Sequence, residues 1–332
     1  LSSFPPSRLD LLAQLPRRSR PTLRLSCALP PSSMSSSAPT TYFRASLLPS
    51  SSSPLRFETD PPLSLSLAVS GANRGIGFGL VQQLVKRDDN VLIFAGARDP
   101  TKAAALNSLA EETDRVVIVK LESTSEEDAK AAAQLVEDKV GKLDYLIANA
   151  GACACPARLE PVLEELADPL GPAGISLPEA VLPVRTTTRA LVEQHYAVNA
   201  VGPLLLFQAF APLLLAASEP HFVAISTAIA SLSLALPFPI TAYGMSKAAL
   251  NFLVVKIATE HGNEKDRLTA YAISPGFAQT DMGDAGAKAM GLDKAPVKLE
   301  DSVQGVLKVI DGATLQKSGG KFWDYTGDEL TW

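Results

Sequence analysis

Residues 63–83 read Leu63-Ser-Leu-Ser-Leu-Ala-Val-Ser-Gly-Ala-Asn-Arg-Gly-Ile-Gly-Phe-Gly-Leu-Val-Gln-Gln83. The apolar run from Leu65 to Val69 is short and ends at a glycine cluster, the pattern of a buried strand. Gly71, Gly75 and Gly77 follow at the spacing G-x-x-x-G-x-G. Glycine tolerates the tight backbone of such a loop and keeps a Cβ away from an approaching ligand. Beyond the loop, Leu80, Val81, Leu84 and Val85 fall on one face of a helix. A strand, a glycine loop and a helix in this order put free N–H groups and a positive dipole end at the loop. A pyrophosphate-bearing dinucleotide needs that arrangement.

The alternation continues down the chain. Strand-like segments at 91–95, 116–120, 143–148, 222–226, 268–274 and 321–324 alternate with helix-like segments at 101–112, 126–139, 187–217, 242–260 and 300–311. This pattern implies an α/β fold: a single doubly wound Rossmann domain with about seven parallel strands and helices on both faces. Ligands then bind at the carboxyl ends of the strands, beside the switch point.

A second signal lies in Thr241-Ala-Tyr-Gly-Met-Ser-Lys-Ala-Ala-Leu-Asn251. Tyr243 and Lys247 stand four residues apart, on one face of a helix. The ammonium is expected to favour phenolate and lower a phenol pKa that normally lies near ~10. Such a pair can transfer protons.

Five further segments keep a fixed order. They are Ser70-Gly-Ala-Asn-Arg-Gly-Ile-Gly77, Ile147-Ala-Asn-Ala-Gly151, His195-Tyr-Ala-Val-Asn-Ala-Val-Gly202, Ile225-Ser-Thr227 and Ser274-Pro-Gly-Phe-Ala-Gln-Thr280. With Tyr243 and Lys247 they resemble the short-chain dehydrogenase/reductase family over roughly residues 65–332. Gln279-Thr-Asp-Met-Gly283 and Gly320-Lys-Phe-Trp-Asp-Tyr-Thr-Gly327 resemble its fungal branch, which includes norsolorinic acid ketoreductases.

The resemblance implies hydride transfer between a nicotinamide and a carbonyl–alcohol pair. Tyr243 is then the proton donor, and Lys247 tunes it and holds the nicotinamide ribose. Asn199 matches the family's proton-relay residue. The family's catalytic serine stands thirteen residues before the tyrosine, where this chain has Ala230. Thr227 and then Ser226 are the favoured replacements, because both end the strand before that loop; Ser231 and Ser233 lie nearer in sequence. The cofactor-binding residues implied are Gly71, Asn73, Arg74, Gly75, Ile76, Gly77, Arg98, Glu122, Asn149, Ala150, Gly151, Pro275, Gly276, Phe277 and Thr280, together with Tyr243 and Lys247. Glu122 stands where the family usually has Asp.

Arg98, at the end of the second strand, favours NADP over NAD, because a guanidinium suits a 2′-phosphate. Arg74 can join it, and Asp99 is the counter-argument. Residues 281–297 are Gly-, Ala- and Met-containing and poorly periodic, resembling the family's mobile substrate lid. Leu236, Phe238, Phe277, Met282 and Met290 would line an apolar pocket for an aromatic polyketide-like ketone or aldehyde. A non-catalytic NAD(P)-binding redox sensor or signalling relative is the competing function. The helices near 190–217 and 242–260 would by resemblance build a homodimer or homotetramer.

Composition bounds the rest. The net charge of −5 argues against a nucleic-acid partner. No apolar run reaches the length of a membrane span; 204–215 is short and carries Gln208 and Pro212. Cys27, Cys153 and Cys155 are odd in number and lack metal-ligand spacing, and His195, His221 and His261 are scattered, so no metal site is expected. Reduced thiols fit a cytoplasmic protein.

Residues 1–62 form a separate Ser/Pro/Arg-rich segment, expected to be disordered. The first sixty residues hold 15 Ser, 9 Pro and 7 Arg but no Lys. An organelle transit peptide shares that composition. Met34 opens a stretch resembling a family start, and 44–66 intervenes before the first strand, as a mis-translated intron or upstream region would. Residues 159–185 carry five prolines within an expanded stretch near the site, as a loop insertion or a second gene-model artefact would.

Overall fold

The computed structural model describes residues 65–153 and 182–332. The expectations for 1–62 and for nearly all of the 159–185 insertion fall outside the described residues.

Eight strands form one sheet: β1 (Leu65–Val69), β2 (Val91–Ala97), β3 (Val116–Lys120), β4 (Tyr145–Ala148), β5 (His221–Ile225), β6 (Thr269–Ser274), β7 (Phe322–Asp324) and β8 (Glu329–Leu330). Their order is β3-β2-β1-β4-β5-β6-β7-β8. All neighbours are parallel except β7 and β8. The sequence reading stopped at seven because β8 is two residues long, too short to leave a period. The chain leaves β1 toward β2 and β3, then returns to its other side at β4. The switch point therefore lies between β1 and β4, at their carboxyl ends.

The helices are α1 (Gly75–Arg87), α2 (Ala104–Glu112), α3 (Glu126–Val140), α4 (Arg189–Tyr196), α5 (Gly202–Leu215), α6 (Thr241–His261), α7 (Asp281–Ala289), α8 (Leu299–Asp311) and α9 (Leu315–Ser318). One sheet face buries Leu206, Phe210, Leu250 and Val254 of α5 and α6 against Phe94, Leu146 and Phe222. The other buries Leu80, Val81, Val306 and Ile310 of α1 and α8 against Ile93, Ile147 and Ile273. Each such side chain contributes roughly 1.5–3 kcal/mol by leaving water. The strands β2, β5 and β6 are buried along their whole length because both faces are covered.

Two helical expectations need correction. The 187–217 helix is divided: a π-helical turn, Ala197–Val201, joins α4 to α5. The continuous stretch Arg189–Leu215 is long and apolar enough to cross a membrane by length and composition, which the sequence reading missed. Half of its apolar window is buried in the fold, where α5 packs on the sheet. The 281–297 segment, expected to be without periodicity, opens with α7. Thr280 Oγ1 accepts from Gly283 N at 3.0 Å and caps it. Asp284 Oδ1 accepts from Ala295 N at 3.0 Å and ties its far side back.

A buried histidine sits at the opposite end of the sheet from the switch point. His221 stacks on Tyr145 with centroids 4.4 Å apart and meets Tyr271 edge-on at 6.0 Å. Its Nδ1 finds no hydrogen-bond partner among the described residues. Burial pulls its pKa down to about 4, against the opposing pull of Glu219 and Asp144. An unfolded histidine titrates near ~6.5, so the unfolded chain binds a proton first as pH falls. The stability from a neutral His221 is complete above that pH and is lost on the way down to about 4. The loss amounts to about 3 kcal/mol. His221→Phe keeps the stack and removes the proton site. Its thermal midpoint is expected to fall less than wild type between pH 7 and 4.5; an unchanged acid slope would refute the assignment.

Candidate active site

The glycine loop is held from both sides of the switch point. Ser70 N donates to Ile147 O at 3.0 Å, and Ser70 Oγ accepts from the N–H groups of Asn149 and Ala150 at 3.0 Å each. Asn149 Nδ2 donates to Ser70 O at 2.9 Å and to Gly71 O at 3.1 Å. Gly71 adopts φ +65, and a Cβ on it would stand 2.9 Å from Ala150 Cα. The two strand ends approach this closely only because position 71 is glycine. Arg74 precedes α1 with no side-chain cap, so the first N–H groups of the helix face the loop. Asn73 and Ile76 are partly buried within it.

Of the cofactor-binding residues expected from later in the chain, Thr280 reaches the glycine loop. Thr280 Cγ2 would lie 3.4 Å from a Cβ on Gly75, so the 275–280 loop covers the glycine loop. Ser302 Oγ fixes Pro275 O at 2.6 Å, and Phe277 O accepts from Val297 N at 3.0 Å. Gly276 takes φ +73 beside the Tyr325 ring. A narrow recess of about 10 Å³ lies between Ser70, Glu122, Ala150 and Gly202, alongside the loop.

Arg98 is exposed at the end of β2, its Nε 3.7 Å from Glu122 Oε2. Asp128 anchors that second loop, accepting from Glu122 N at 3.0 Å. Asp99 is spent locally. It accepts from Thr101 and pairs with Lys102 at 2.7 Å, and those contacts lower its pKa to about 2. Arg74 pairs with Asp281 at 3.0 Å on the surface.

Of the residues expected to transfer protons, Asn199 and Lys247 meet at Gly151, next to the cradle. Asn199 lies in the π-helical turn, fully buried. Its Oδ1 accepts from Ala152 N at 2.8 Å, and its Nδ2 donates to Ala152 O at 2.7 Å and to Ser246 Oγ at 3.0 Å. Ser246 Oγ in turn donates to Tyr243 O at 2.7 Å. A Cβ on Gly151 would lie 3.3 Å from Asn199 Oδ1 and 3.4 Å from Lys247 Nζ, so the Gly151 backbone runs between them.

Lys247 is 3% exposed and donates to Ile225 O at 2.7 Å. Burial pulls its pKa down to about 8, against an opposing pull from Cys153. Tyr243 departs from expectation. Its pKa is pushed up, first by burial and then by Cys153. Sequence spacing pairs the phenol with a cation but carries no measure of desolvation, the largest cause of the shift here.

The two candidate hydroxyls separate cleanly. Ser226 is 2% exposed and donates to Asn251 Oδ1 at 2.6 Å. Thr227 is partly exposed, and its Oγ1 only accepts, from Ile229 N at 3.4 Å, leaving its proton uncommitted among the described residues. Ser231 and Ser233 turn away, donating to Thr331 O at 2.7 Å and Trp332 O at 2.6 Å.

Sequence reasoning did not single out several residues that contact the expected site residues. His195, one of the three scattered histidines, is buried, donates from Nδ1 to Leu191 O at 2.8 Å, and meets the Tyr243 ring edge-on at 6.3 Å. It lies one helical turn before Asn199, which was the available signal. Ser246 and Asn251 lie on the same helix as Tyr243 and Lys247, without a spacing that marks them. Among the described residues no cluster of metal-ligating side chains occurs.

A family profile described as short chain dehydrogenase matches residues 66–290. This chain belongs to the short-chain dehydrogenase family. It is 35% identical over 284 residues to the norsolorinic acid ketoreductase of Aspergillus parasiticus, covering 83% of this chain and 94% of that protein. It is 34% identical to the short-chain dehydrogenase srdF of Neurospora crassa, covering 80% and 96%. Among solved structures it is similar to NADPH-bound carbonyl reductase from chicken fatty liver. That match has a TM-score of 0.66 and 30% identity, covering 80% of this chain and 98% of that one. Carbonyl reductase Sniffer of D. melanogaster, at TM-score 0.65 and 21% identity, supports the fold alone. The family assignment makes the chain an oxidoreductase with a single Rossmann domain.

Proposed function

We propose that this short-chain dehydrogenase reduces a ketone or aldehyde on an apolar, aromatic polyketide-like substrate with NADPH. The observation that carries the proposal is Lys247. A buried ammonium is costly unless paired, yet this one sits one helical turn from Tyr243 and beside the Asn149–Gly151 strand end. Packing alone would favour an apolar residue there.

The residues fit a dinucleotide. Gly71 and Gly77 let the loop backbone pack against Ala150 and Asn149 where a Cβ would collide, and the uncapped first turn of α1 suits an anion. Gly71, Asn73, Arg74, Gly75, Ile76 and Gly77 would hold the pyrophosphate, with Asn149, Ala150, Gly151, Pro275, Gly276, Phe277 and Thr280 around the nicotinamide half. Bound there, the reduced nicotinamide supplies the hydride. Tyr243 gives its proton to the carbonyl oxygen as negative charge develops on it. Its raised pKa keeps the phenol protonated at neutral pH. Thr227 holds the same oxygen with its uncommitted hydroxyl, while Ser226 is turned inward. Lys247 stabilises the phenolate that remains. Asn199 keeps Gly151 and Ala152 against Lys247, where the family's proton relay would run.

Arg98, paired only loosely with Glu122, supports NADPH as the coenzyme, and the engagement of Asp99 with Thr101 and Lys102 removes the competing carboxylate. The apolar substrate is supported by Leu236, Phe238 and Met282, which are large, apolar and exposed on segments flanking site residues. The same kind of exposure at Met245 and Phe252 on α6 supports a homodimer or homotetramer through that helix; a monomer in light scattering would refute it. A cytoplasmic location stays part of the proposal.

The test is coenzyme consumption against a panel of aromatic ketones. NADPH is expected to be oxidised, with Arg98→Ala raising its KM about tenfold, the loss of one charge-assisted contact of ~1.4 kcal/mol. Tight NADPH binding without turnover of any carbonyl would instead favour the sensor.

A further inference from the structure

Four buried polar side-chain atoms lack a hydrogen-bond partner among the described residues: His221 Nδ1, Tyr271 Oη, Trp323 Nε1 and Asn251 Nδ2. The first three belong to large aromatic rings whose packing accounts for their burial. Asn251 has no such account. It is 5% exposed on α6, one turn beyond Lys247, and half of its amide is unsatisfied. A buried unpaired amide costs roughly 1–3 kcal/mol. Leucine has similar volume and would avoid that cost.

The other half of the amide meets the strand that ends in the site. Asn251 Oδ1 accepts from Ser226 Oγ at 2.6 Å. Lys247 Nζ donates to Ile225 O at 2.7 Å. Two adjacent residues at the end of β5 are thus gripped by two side chains four positions apart on α6, which share one helix face. Ser226 N also donates to Ile273 O at 2.8 Å, so the strand end is fixed to β6 as well. Thr227 comes next. Its own side chain accepts one long bond, at 3.4 Å, and does little to place it.

We propose that Asn251 is a positioning residue of the active site: through Ser226 it sets where the Thr227 hydroxyl and the Lys247 ammonium stand relative to Tyr243. The inference rests on the proposed reductase reading and deepens it. Orientation is where such a clamp acts, because a displacement near 1 Å at a reacting group can cost about 100-fold in rate.

The experiment compares wild type, Asn251→Leu, Ser226→Ala and the double variant. The readouts are NADPH-dependent turnover of an aromatic ketone, NADPH affinity by fluorescence titration, and thermal midpoint. Each single change is expected to lower kcat roughly 10- to 100-fold with NADPH affinity within threefold of wild type. The double variant should be no slower than the worse single, because both remove one bond. Asn251→Leu removes the orphan amide but leaves the buried Ser226 hydroxyl without its acceptor, so the two costs offset and its melting point should stay near wild type. Unchanged kcat in Asn251→Leu, additive losses in the double variant, or a rate loss that tracks a lowered melting point would each overturn the proposal while leaving the reductase standing. A wild-type protein that reduces no carbonyl overturns the reductase reading itself, and the positioning role with it.

Discussion

Tyr243→Phe is expected to lower carbonyl reduction by about 100- to 10,000-fold, the range lost when a positioned general acid is removed. The substitution deletes one oxygen and keeps the ring. The edge-on contact with His195 at 6.3 Å survives, so the helix start and the thermal midpoint should stay near wild type. NADPH affinity should also persist, because the glycine loop and the 275–280 segment are untouched. The wild-type pH profile supplies a companion sign. Burial holds Lys247 near about 8, so its ammonium is present at neutral pH and is lost as pH rises through that value. Reduction is therefore expected to decline above about pH 8, as the charge that stabilises the developing phenolate disappears. Steady-state rates across pH 6–10 on both proteins make the measurement. Turnover in Tyr243→Phe within threefold of wild type would sink the proton-donor role.

The same residue marks the limit of what the sequence carries. The helical spacing of Tyr243 and Lys247 sets both on one face of α6, and the structure places Lys247 Nζ with Asn199 Oδ1 around Gly151. The direction of the phenol's pKa was misjudged, because a pairwise spacing contains charge but no burial. The strands β1 and β3 fall where the apolar runs put them, since glycine or charged residues stop those runs abruptly. The lid segment did not betray α7, because Gly283 and Gly286 weaken the helical signal and the stabilising contacts come from Thr280 and Asp284. Ser226 and Thr227 could not be separated by counting back from the tyrosine. Alternation at a strand end decides which of two neighbours faces inward, and only the partner on α6 reveals it. Asn251 was invisible for the same reason: its meaning lies wholly in a contact 25 residues away in sequence.

Gly77→Ala should all but abolish dinucleotide binding, though it adds a single methyl group. A Cβ at this position would fall inside contact distance of both Gly71 O and Asn149 Nδ2, a backbone oxygen and a short amide with nowhere to swing. That amide donates to Ser70 O and Gly71 O, tying the end of β4 to the end of β1. Making room therefore sacrifices two hydrogen bonds, about 0.5–1.5 kcal/mol each, besides overpacking of about 1–3 kcal/mol. The cradle must open by as much, so NADPH affinity is expected to fall at least about 100-fold, equivalent to ~2.7 kcal/mol. Gly141→Ala is the matched control. Gly141 ends α3 with φ +69 and nothing within 4 Å of its Cβ position. Alanine there meets only the left-handed backbone penalty of roughly 1–2 kcal/mol, far from the cradle. It should lower the melting point and leave NADPH titration unchanged. If Gly77→Ala bound NADPH as wild type does, the glycine loop would not be the pyrophosphate site, whatever the fold around it.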